Sequence, residues 1–283
     1  MTQRILTFIS DFGQSDWFVG VVHGVLHERC PAARIVDLTH AIPPGQIARA
    51  AFVLGAAAPD FPAGTVHLVV VDPGVGTARR ALAGGARGHW FVGPDNGVLD
   101  WALADAACEV HAIENREYMR EPVSRTFHGR DVFAPAAAAL ACGVELARLG
   151  PRVSNAVRPP PHAPRLRQPG PSTSGVATTG EHGTKVLAGE VMYVDRFGNA
   201  LTSIDEATIA ATFRGVPESE LEVRVVDRRI AGLARSYGDA PVGTLVAIIG
   251  SSGRLEIAQV GGAADSRLGL GVGDEVWMMR GGR

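Results

Sequence analysis

The sequence is short of cysteine and of long apolar runs, and each shortage excludes a class of protein. Its three cysteines, Cys30, Cys108 and Cys142, show no CxxC spacing and no cluster with histidine, so they do not indicate zinc. We expect them to be buried thiols in a reducing compartment. No apolar run approaches the roughly 20 residues of a membrane span, and the first residues lack a signal-peptide pattern. These absences favour a cytoplasmic protein that does not enter membranes.

A strong net charge is lacking as well. The formal charge of -2 creates no field that would attract nucleic acid or an anionic membrane, so nucleic-acid binding is not expected. A hydrophobic share of 46% and a charged share of 20% are ordinary for a globular protein. At 283 residues the chain is long enough for two domains.

The N-terminal half alternates short apolar runs with helix-spaced segments. Strands are expected at 5–10, 35–38, 66–71, 90–92 and 109–113. Helices are expected near 17–28, 47–57, 98–107 and 133–149. This alternation is typical of an α/β domain whose mostly parallel sheet is covered on both faces.

The pattern changes after residue 150. Residues 151–184 are rich in Pro, Gly and Ser and show no periodicity, which indicates a linker. From 185 onward, short strands follow one another with Gly, Asp and Ser between them. We therefore predict an α/β domain at 1–150, a linker at 151–184 and a small all-β, barrel-like domain at 185–283.

The stretch VVVDPGVGTARR (69–80) carries the most prominent candidate site. Its strand ends at Asp72, where Pro73 and Gly74 turn the chain, and Arg79 follows on the same loop. Ligands of open α/β sheets bind at the carboxyl ends of the strands. Asp72 and Arg79 are therefore candidates for chemistry, and the alternative is a solvated turn. Arg80 is expected to be a surface or interface residue.

Two further candidates lie in the N-terminal half. Asp11 and Asp16 follow the first strand, where a carboxylate can bind ribose hydroxyls or an ammonium group; the alternatives are a turn and a helix N-cap. His128 stands in RTFHGRDVFAP beside charged residues at the start of a helix, a fair position for an acid or base. The remaining histidines form no metal-ligand pattern.

The C-terminal half repeats the strand-end design. In YVDRFGNALT, Asp195, Phe197 and Asn199 offer a carboxylate, an aromatic face and an amide, which suit a purine nucleoside. An ordinary hairpin with a GN turn is the alternative. The loop GSSGRLEIA adds Ser251, Ser252 and Glu256 as substrate-binding candidates.

Taken in order, these motifs resemble the S-adenosylmethionine hydroxide adenosyltransferases, the water-using relatives of the fluorinase and chlorinase enzymes. The resemblance rests on a set that spans nearly the whole chain: SDFG, IVDLTHAIPP, VVDPGVGTARR, FVGPDNG, FHGRDVFAP, DRFGN and SSGRLEIA. It implies hydrolysis of S-adenosyl-L-methionine to adenosine and L-methionine, with no cofactor and no metal. It also implies a homotrimer with active sites at subunit interfaces.

The resemblance assigns roles to residues of this chain. The family's catalytic set corresponds to Asp72, Arg79 and His128. Its ribose and methionine-end carboxylates correspond to Asp11 and Asp16. The substrate contacts of its second domain correspond to Asp195, Phe197, Asn199 and the Ser251–Ser252 loop.

The chain departs from the fluorinase at four places. Gly45 replaces an aromatic residue, and Ser252 replaces the arginine of a Ser-Arg pair. Asp72 and His128 stand where the fluorinase has Tyr and Ser, which favours the branch that uses water over the branch that uses halide. Without a metal, side chains must activate a water whose pKa is about 15.7.

Two roles for His128 remain open. Because Arg79 should hold Asp72 ionised, Asp72 is expected to orient the water rather than accept its proton. His128 could accept that proton, or Arg79 with a protonated His128 could stabilise hydroxide electrostatically. The rival functions are a halogenase forming 5′-halo-5′-deoxyadenosine and a non-catalytic S-adenosylmethionine or adenosine-binding protein. A methyltransferase would need a strand–GxGxxG–helix signature, which the N-terminal region lacks.

Overall fold

The structure is a computed structural model that describes residues 4–159, 164–167 and 185–282. The chain divides into two compact units, Met1–Pro160 and Pro161–Arg283. Most of the predicted linker, residues 160–163 and 168–184, lies outside the described residues. No helix among the described residues is both long and apolar enough to span a bilayer.

The first unit is built on a six-stranded sheet with the order β2-β1-β3-β5-β4-β6. Its strands are β1 (Ile5–Ser10), β2 (Arg34–Thr39), β3 (Val66–Val70), β4 (Ala81–Ala86), β5 (His89–Pro94) and β6 (Glu109–Ala112). Four of them run parallel, whereas β4 pairs antiparallel with both β5 and β6. The predicted mostly parallel sheet is confirmed, with an antiparallel insertion that the sequence pattern did not reveal.

Helices cover both faces of this sheet. They are α1 (Phe18–Arg29), α2 (Ile47–Ala57), α3 (Asp100–Leu103) and α4 (Ala134–Ala141). Successive β3 residues belong to different cores: Leu68 packs with residues of α1 and α4, and Val69 packs with residues of α2 and α3. This alternation is the expected consequence of side chains pointing to opposite faces of a strand.

Two predicted helices are shorter than expected. The segment predicted at 133–149 is a π-helical turn (Gly129–Phe133), then α4, then a 3₁₀ turn (Leu146–Leu149). Gly143 adopts a φ of 92° just after α4, a conformation that ends helices. The helix predicted at 98–107 contracts to α3.

The expectation of three buried thiols is wrong: two of the cysteines form a disulfide and the third is a thiol that is only partly buried. Cys30 follows α1 and Cys142 follows α4, and the structure joins them in a disulfide with Cα atoms 5.8 Å apart. The 112-residue separation along the chain hides this proximity from the sequence. Cys108 is a free, partly exposed thiol. The cysteine content therefore no longer supports a reducing compartment.

The second unit consists of one antiparallel sheet and two short helices. Its strands are β7 (Arg165–Arg167), β8 (Val186–Val194), β9 (Ala200–Asp205), β10 (Leu221–Val225), β11 (Arg228–Ala231), β12 (Leu245–Ile249), β13 (Arg254–Gln259) and β14 (Glu275–Arg280). The order is β11-β10-β14-β8-β9-β13-β12, and β7 pairs with β8. The helices are α5 (Glu206–Thr212) and α6 (Ala264–Leu268).

This second sheet nearly closes on itself. Ala234, just beyond β11, forms a bridge to Ile248 of β12 at the other end of the strand order. The interior is apolar, with Val191, Val223 and Ile257 fully buried. The predicted all-β, barrel-like fold is confirmed. The strand β7 lies in the segment that we predicted as a linker without regular structure.

Candidate functional site

The carboxyl ends of β1 and β3 bring two candidate carboxylates to one edge of the first sheet. Ser10 pairs with Val70 in parallel register, so Asp11 leaves β1 opposite Val71 and Asp72 follows one residue later at the same edge. The backbone N–H of Gly45 donates to Asp11 Oδ2 at 2.8 Å. Gly45 has a φ of 72°, and a Cβ there would lie 3.8 Å from the Cβ of Pro73. The Gly45 turn thus lies against the loop that carries Asp72, in a conformation that favours glycine.

Asp72 and Arg79 form a bidentate ion pair within one loop. Arg79 Nε donates to Asp72 Oδ1 at 3.0 Å, and Nη2 donates to Oδ2. The side chains are only 6% and 8% exposed, respectively. The Arg79 guanidinium also lies 5.1 Å from the centre of the Phe133 ring. Bidentate geometry and the aromatic contact hold the guanidinium in one orientation.

His128 is the third member of the candidate catalytic set, and it contacts Arg79. It stands immediately before the π-helical turn, and its Nδ1 lies 3.0 Å from Arg79 Nη2. Arginine can only donate, so Nδ1 accepts, and in neutral His128 the proton resides on Nε2. Burial first and the charge of Arg79 second lower the pKa of His128 below its usual value, against the opposing charges of Asp72 and Asp131. His128 is therefore a neutral Nε2–H donor at neutral pH.

Close backbone packing fixes the two loops that carry this set. Gly76 has a φ of 78°, and a Cβ there would overlap the carbonyl oxygen of Arg125. A Cβ at Gly129 would lie 3.1 Å from Phe12 and 3.4 Å from Val70. Side chains at these glycines would therefore push the His128 segment away from the Asp72 loop.

Arg80 differs from its neighbour: its side chain is 35% exposed, as expected of a surface residue, and all its contacts are structural. Its Nε donates to Asp95 at 2.8 Å, and its Nη atoms donate to the side chain and the carbonyl of Asn155 at 2.7 and 2.8 Å. Asp95 also accepts from the N–H of Val157 at 2.7 Å. Arg80 thus fastens the end of the first unit to its sheet.

Asp16 lies apart from these contacts. It is exposed, and the N-cap residue of α1 is Trp17, so the alternative of an Asp16 helix cap does not apply. Trp17 itself is 68% exposed. The structure does not join Asp16 to the Asp72 set.

In the second unit, Asp195 and Asn199 satisfy each other within one turn. The Asp195 carboxylate accepts from the N–H groups of Phe197 and Asn199 at 2.8 and 2.9 Å, and from the Asn199 amide at 3.0 Å. Asn199 is buried, while Phe197 is 74% exposed. These hydrogen bonds thus fix the turn from which the exposed Phe197 ring projects.

Glu256 lies beneath the serine loop of the same unit. Its side chain is buried, and Tyr237 donates its hydroxyl to Glu256 Oε2 at 2.8 Å. A Cβ at Gly250 would overlap the Glu256 carboxyl, so the loop backbone lies directly against it. Burial, followed by the charge of Asp195, raises the pKa of Glu256, although the Tyr237 hydrogen bond opposes this. Burial and the bond to Glu256 raise the pKa of Tyr237 to about 12.

Ser252 is the residue of this loop whose buried hydroxyl is left without a hydrogen bond among the described residues. Ser251 is exposed on the same turn. Buried hydroxyls are nearly always hydrogen-bonded, so Ser252 is available to bind a group that the described residues do not supply.

Two site residues escaped the sequence interpretation. Phe133 contacts Arg79, and its place after the His128 motif was the available signal. Tyr237 lies in a polar stretch between strands, and no motif pointed to its bond with Glu256.

Family models match both halves of the chain. One described as the SAM hydroxide adenosyltransferase N-terminal domain covers residues 6–150. One described as the SAM hydroxide adenosyltransferase C-terminal domain covers residues 189–277. These matches confirm the predicted resemblance.

Named relatives are similar over most of the chain. The (R)-S-adenosyl-L-methionine hydrolase of Salinispora tropica is 41% identical over 275 residues, which is 96% of each protein. That of Thermus thermophilus is 41% identical over 285 residues, covering 98% of this chain and 100% of the relative. The fluorinase of an Actinoplanes species is 28% identical over 225 residues, 71% of each protein.

Solved structures share the fold. A crystal structure of an uncharacterized conserved protein from Thermotoga maritima has a TM-score of 0.82 and 36% identity, covering 96% of this chain and 99% of the other. A conserved hypothetical protein from Thermus thermophilus has a TM-score of 0.72 and 39% identity, covering 98% of this chain and 100% of the other.

Proposed function

The chain belongs to the S-adenosylmethionine hydroxide adenosyltransferase family, and we propose that it hydrolyses S-adenosyl-L-methionine to adenosine and L-methionine. The names of relatives with 41% identity support this activity. The observation that carries the proposal is the contact set in which Arg79 is bound to Asp72 and also engages His128.

The reaction is a displacement at carbon 5′ of the ribose. The oxygen of water or hydroxide forms a bond to this carbon while the bond from carbon to the sulfonium breaks. The electron pair of the broken bond stays on sulfur, which becomes the neutral thioether of methionine. One proton of the attacking water is released to solvent, so substrate, water and side chains suffice for the proposed chemistry.

The hydrogen bonding of His128 supports the hydroxide-stabilising role, with a neutral His128 in place of the protonated one considered from the sequence. Its Nδ1 is engaged by Arg79, so the free Nε2 carries a hydrogen and cannot accept a proton from water. We therefore propose that His128 Nε2–H and the Arg79 guanidinium hold the developing hydroxide, while Asp72 orients it. Preorganised donors of this kind act most strongly in a site that excludes water.

The remaining candidates divide the substrate among them. Asp11 is proposed to bind the ribose hydroxyls and Asp16 the methionine end. Asp195, Phe197 and Asn199 are proposed to hold the adenine, chiefly by stacking on the exposed Phe197 ring. Ser251, Ser252 and Glu256 are proposed to bind the amino-acid end, where the buried Glu256 carboxyl would meet the substrate ammonium.

Incubation in oxygen-18 water tests the reaction. Label in the 5′-hydroxyl of adenosine, with equimolar methionine, is expected. A 5′-halo-5′-deoxyadenosine formed in chloride or fluoride would point to a halogenase instead. Binding of S-adenosylmethionine without turnover would leave only a binding protein, and either of these results would overturn the proposal.

The names of the relatives specify the R configuration, and we propose the same preference for this chain. Epimers resolved at sulfur provide the test. The ratio of kcat/KM for the two epimers should favour R, and an equal or inverted ratio would contradict the preference.

The expected homotrimer with sites at subunit interfaces is part of the proposal. Sedimentation equilibrium of the purified chain tests it directly. Cytoplasmic location likewise stays a prediction, and cell fractionation would decide it.

A further inference from the structure

Three potential metal ligands meet on the first unit, apart from the Asp72 set. They are His23 on α1, Asp37 on β2 and His40 just after β2. Asp37 Oδ1 lies 2.9 Å from His23 Nε2 and 3.1 Å from His40 Nε2. One donor atom from each residue falls within 4.8 Å of the other two.

His40 supplies an independent sign of a missing partner. It is 2% exposed, and its Nε2 is buried without a hydrogen-bond partner among the described residues. Asp37 Oδ1 lies 3.1 Å away, in an ion-pair contact that does not meet hydrogen-bond geometry. Buried polar atoms are almost always paired, so this nitrogen faces the cluster with its bonding capacity unused.

The Nδ1 atom of His40 makes the kind of hydrogen bond that orients histidine ligands in many metal sites. It lies 2.7 Å from the hydroxyl of Ser10, which can accept a hydrogen from it. A metal-bound histidine usually donates its second N–H to such an oxygen, which fixes the ring and directs the free lone pair at the metal. Phe8 packs against the same ring, with centroids 4.7 Å apart, and restricts its rotation.

The spacing of the donors fits a tetrahedral ion. Bonds of ~2.0–2.1 Å at tetrahedral angles separate neighbouring donors by ~3.3–3.4 Å. The two N···O separations of 2.9 and 3.1 Å are a few tenths of an ångström shorter, so small side-chain shifts would admit an ion. We propose that His23, Asp37 and His40 bind one divalent transition-metal ion of the zinc class, with water as its fourth ligand. The His23 and Asp37 side chains are 28% and 37% exposed, which leaves solvent access for that water.

The ion would link elements next to the strand end that carries Asp11. The N–H of Gly13 donates to the carbonyl of His40 at 2.8 Å, and Ser10 directly precedes Asp11. Its role would be to hold α1, β2 and the end of β1 together. The proposal does not depend on the reaction assigned to the chain.

Metal binding by the full-length, tag-free protein tests the site. After removal of metals with a chelator, equilibrium dialysis against zinc chloride and elemental analysis should give one zinc per chain. Cobalt(II) should give the visible absorption bands of a tetrahedral complex. Zinc should also raise the melting temperature, because it binds the folded state.

Matched variants make the result specific. His23→Ala and Asp37→Asn should weaken zinc binding by ~100-fold or more, because losing even an outer partner of a metal site costs about 10–100-fold. They should also abolish the cobalt spectrum and the thermal shift. His27→Ala is the control, an exposed histidine one turn further along α1. Absence of stoichiometric zinc, or unchanged zinc binding in both ligand variants, would overturn the proposal.

Discussion

The two candidate sites differ in how their buried carboxylates are compensated. In the first unit, Asp72 is paired with Arg79 through two hydrogen bonds, and Arg79 also engages His128. In the second unit, Glu256 is equally buried but receives a hydroxyl from Tyr237, and no arginine or lysine pairs with it among the described residues.

This difference separates a site whose geometry is preorganised from a site whose buried carboxylate has no cationic partner among the described residues. Because the charges of Asp72 and Arg79 balance each other, their geometry is set before any substrate arrives. Glu256 instead lies in an environment that raises its pKa, since burial disfavours its charge. A bound cation would relieve that penalty, and the ammonium of the substrate is such a cation. We infer that the first region serves the reaction step and the second serves binding.

The largest expected effect concerns adjacent arginines. Arg79→Ala should lower kcat by about 10²–10³, because a preorganised donor to the developing hydroxide is lost. Arg80→Ala is the matched control, since Arg80 bonds to Asp95 and Asn155 instead. It should lower the melting temperature while kcat stays close to that of the wild type. Equal loss of kcat in both variants would remove the distinction drawn between the two arginines.

His128 allows a finer test of the same region. His128→Ala should lower kcat by about 10²-fold, whereas His128→Gln should retain more activity because its amide can donate in place of Nε2–H. A general base would be lost equally in both variants. Steady-state kinetics at neutral pH therefore distinguishes donor from base. Equal rates for the two variants would refute the donor role.

Glu256 tests the binding region. Glu256→Gln keeps an acceptor for Tyr237 but removes the charge, so KM should rise about 10–100-fold, as expected for a lost charge-assisted hydrogen bond. The change in kcat should be much smaller. Tyr237→Phe serves as the control and should raise KM less. A fall in kcat at unchanged KM would place Glu256 in the reaction step and contradict the comparison.

Acid should change the stabilising contributions of His67, on β3 of the first unit, and of Glu256, on β13 of the second, in opposite directions. Burial and the neighbouring His89 lower the pKa of His67 to about 3, so its stabilising contribution is complete above pH 6.5 and is lost as the pH falls towards 3. The slope is about 1.4 kcal/mol per pH unit. Glu256 has a raised pKa, so its contribution improves as the pH falls through that value towards 4.5.

Denaturant unfolding from pH 7 to 4 can resolve these signs. His67→Phe should make the free energy of unfolding fall less steeply as the pH is lowered, because the destabilising protonation of His67 is lost. Glu256→Gln should make it fall more steeply, because the stabilising protonation of Glu256 is lost. Identical pH dependence in the wild type and both variants would show that neither group contributes.

The sequence predicted most of the elements that carry the site. β1, β3 and α2 follow from their apolar periodicity, and the Asp72–Arg79 contact follows from their position on one short loop. The strand β4 was missed because Ala and Gly have low strand propensity. Its glycines are needed for packing: a Cβ at Gly85 would lie 2.7 Å from the Trp90 ring, and one at Gly84 would lie 3.3 Å from the carbonyl of Glu109.

Contacts between distant segments could not be predicted from pattern alone. His23 and Asp37 are 14 residues apart and lie on different elements, so no spacing rule for metal ligands joins them. Tyr237 and Glu256 are 19 residues apart, and they meet because the connection that carries Tyr237 leads into β12, the neighbour of β13. The partner of His128 at Arg79 came from the family resemblance, since 49 residues separate them.

The Cys30–Cys142 disulfide gives the first unit a closed covalent ring. Asp72, Arg79 and His128 all lie inside this ring, whereas Asp11 and Asp16 lie on the free N-terminal arm before it. A single backbone cut between residues 30 and 142 would therefore leave the two fragments tethered, with the reaction-step residues on one connected molecule. A cut between residues 16 and 30 would instead leave Asp11 and Asp16 on an arm held only by the non-covalent contacts of β1 and its neighbours.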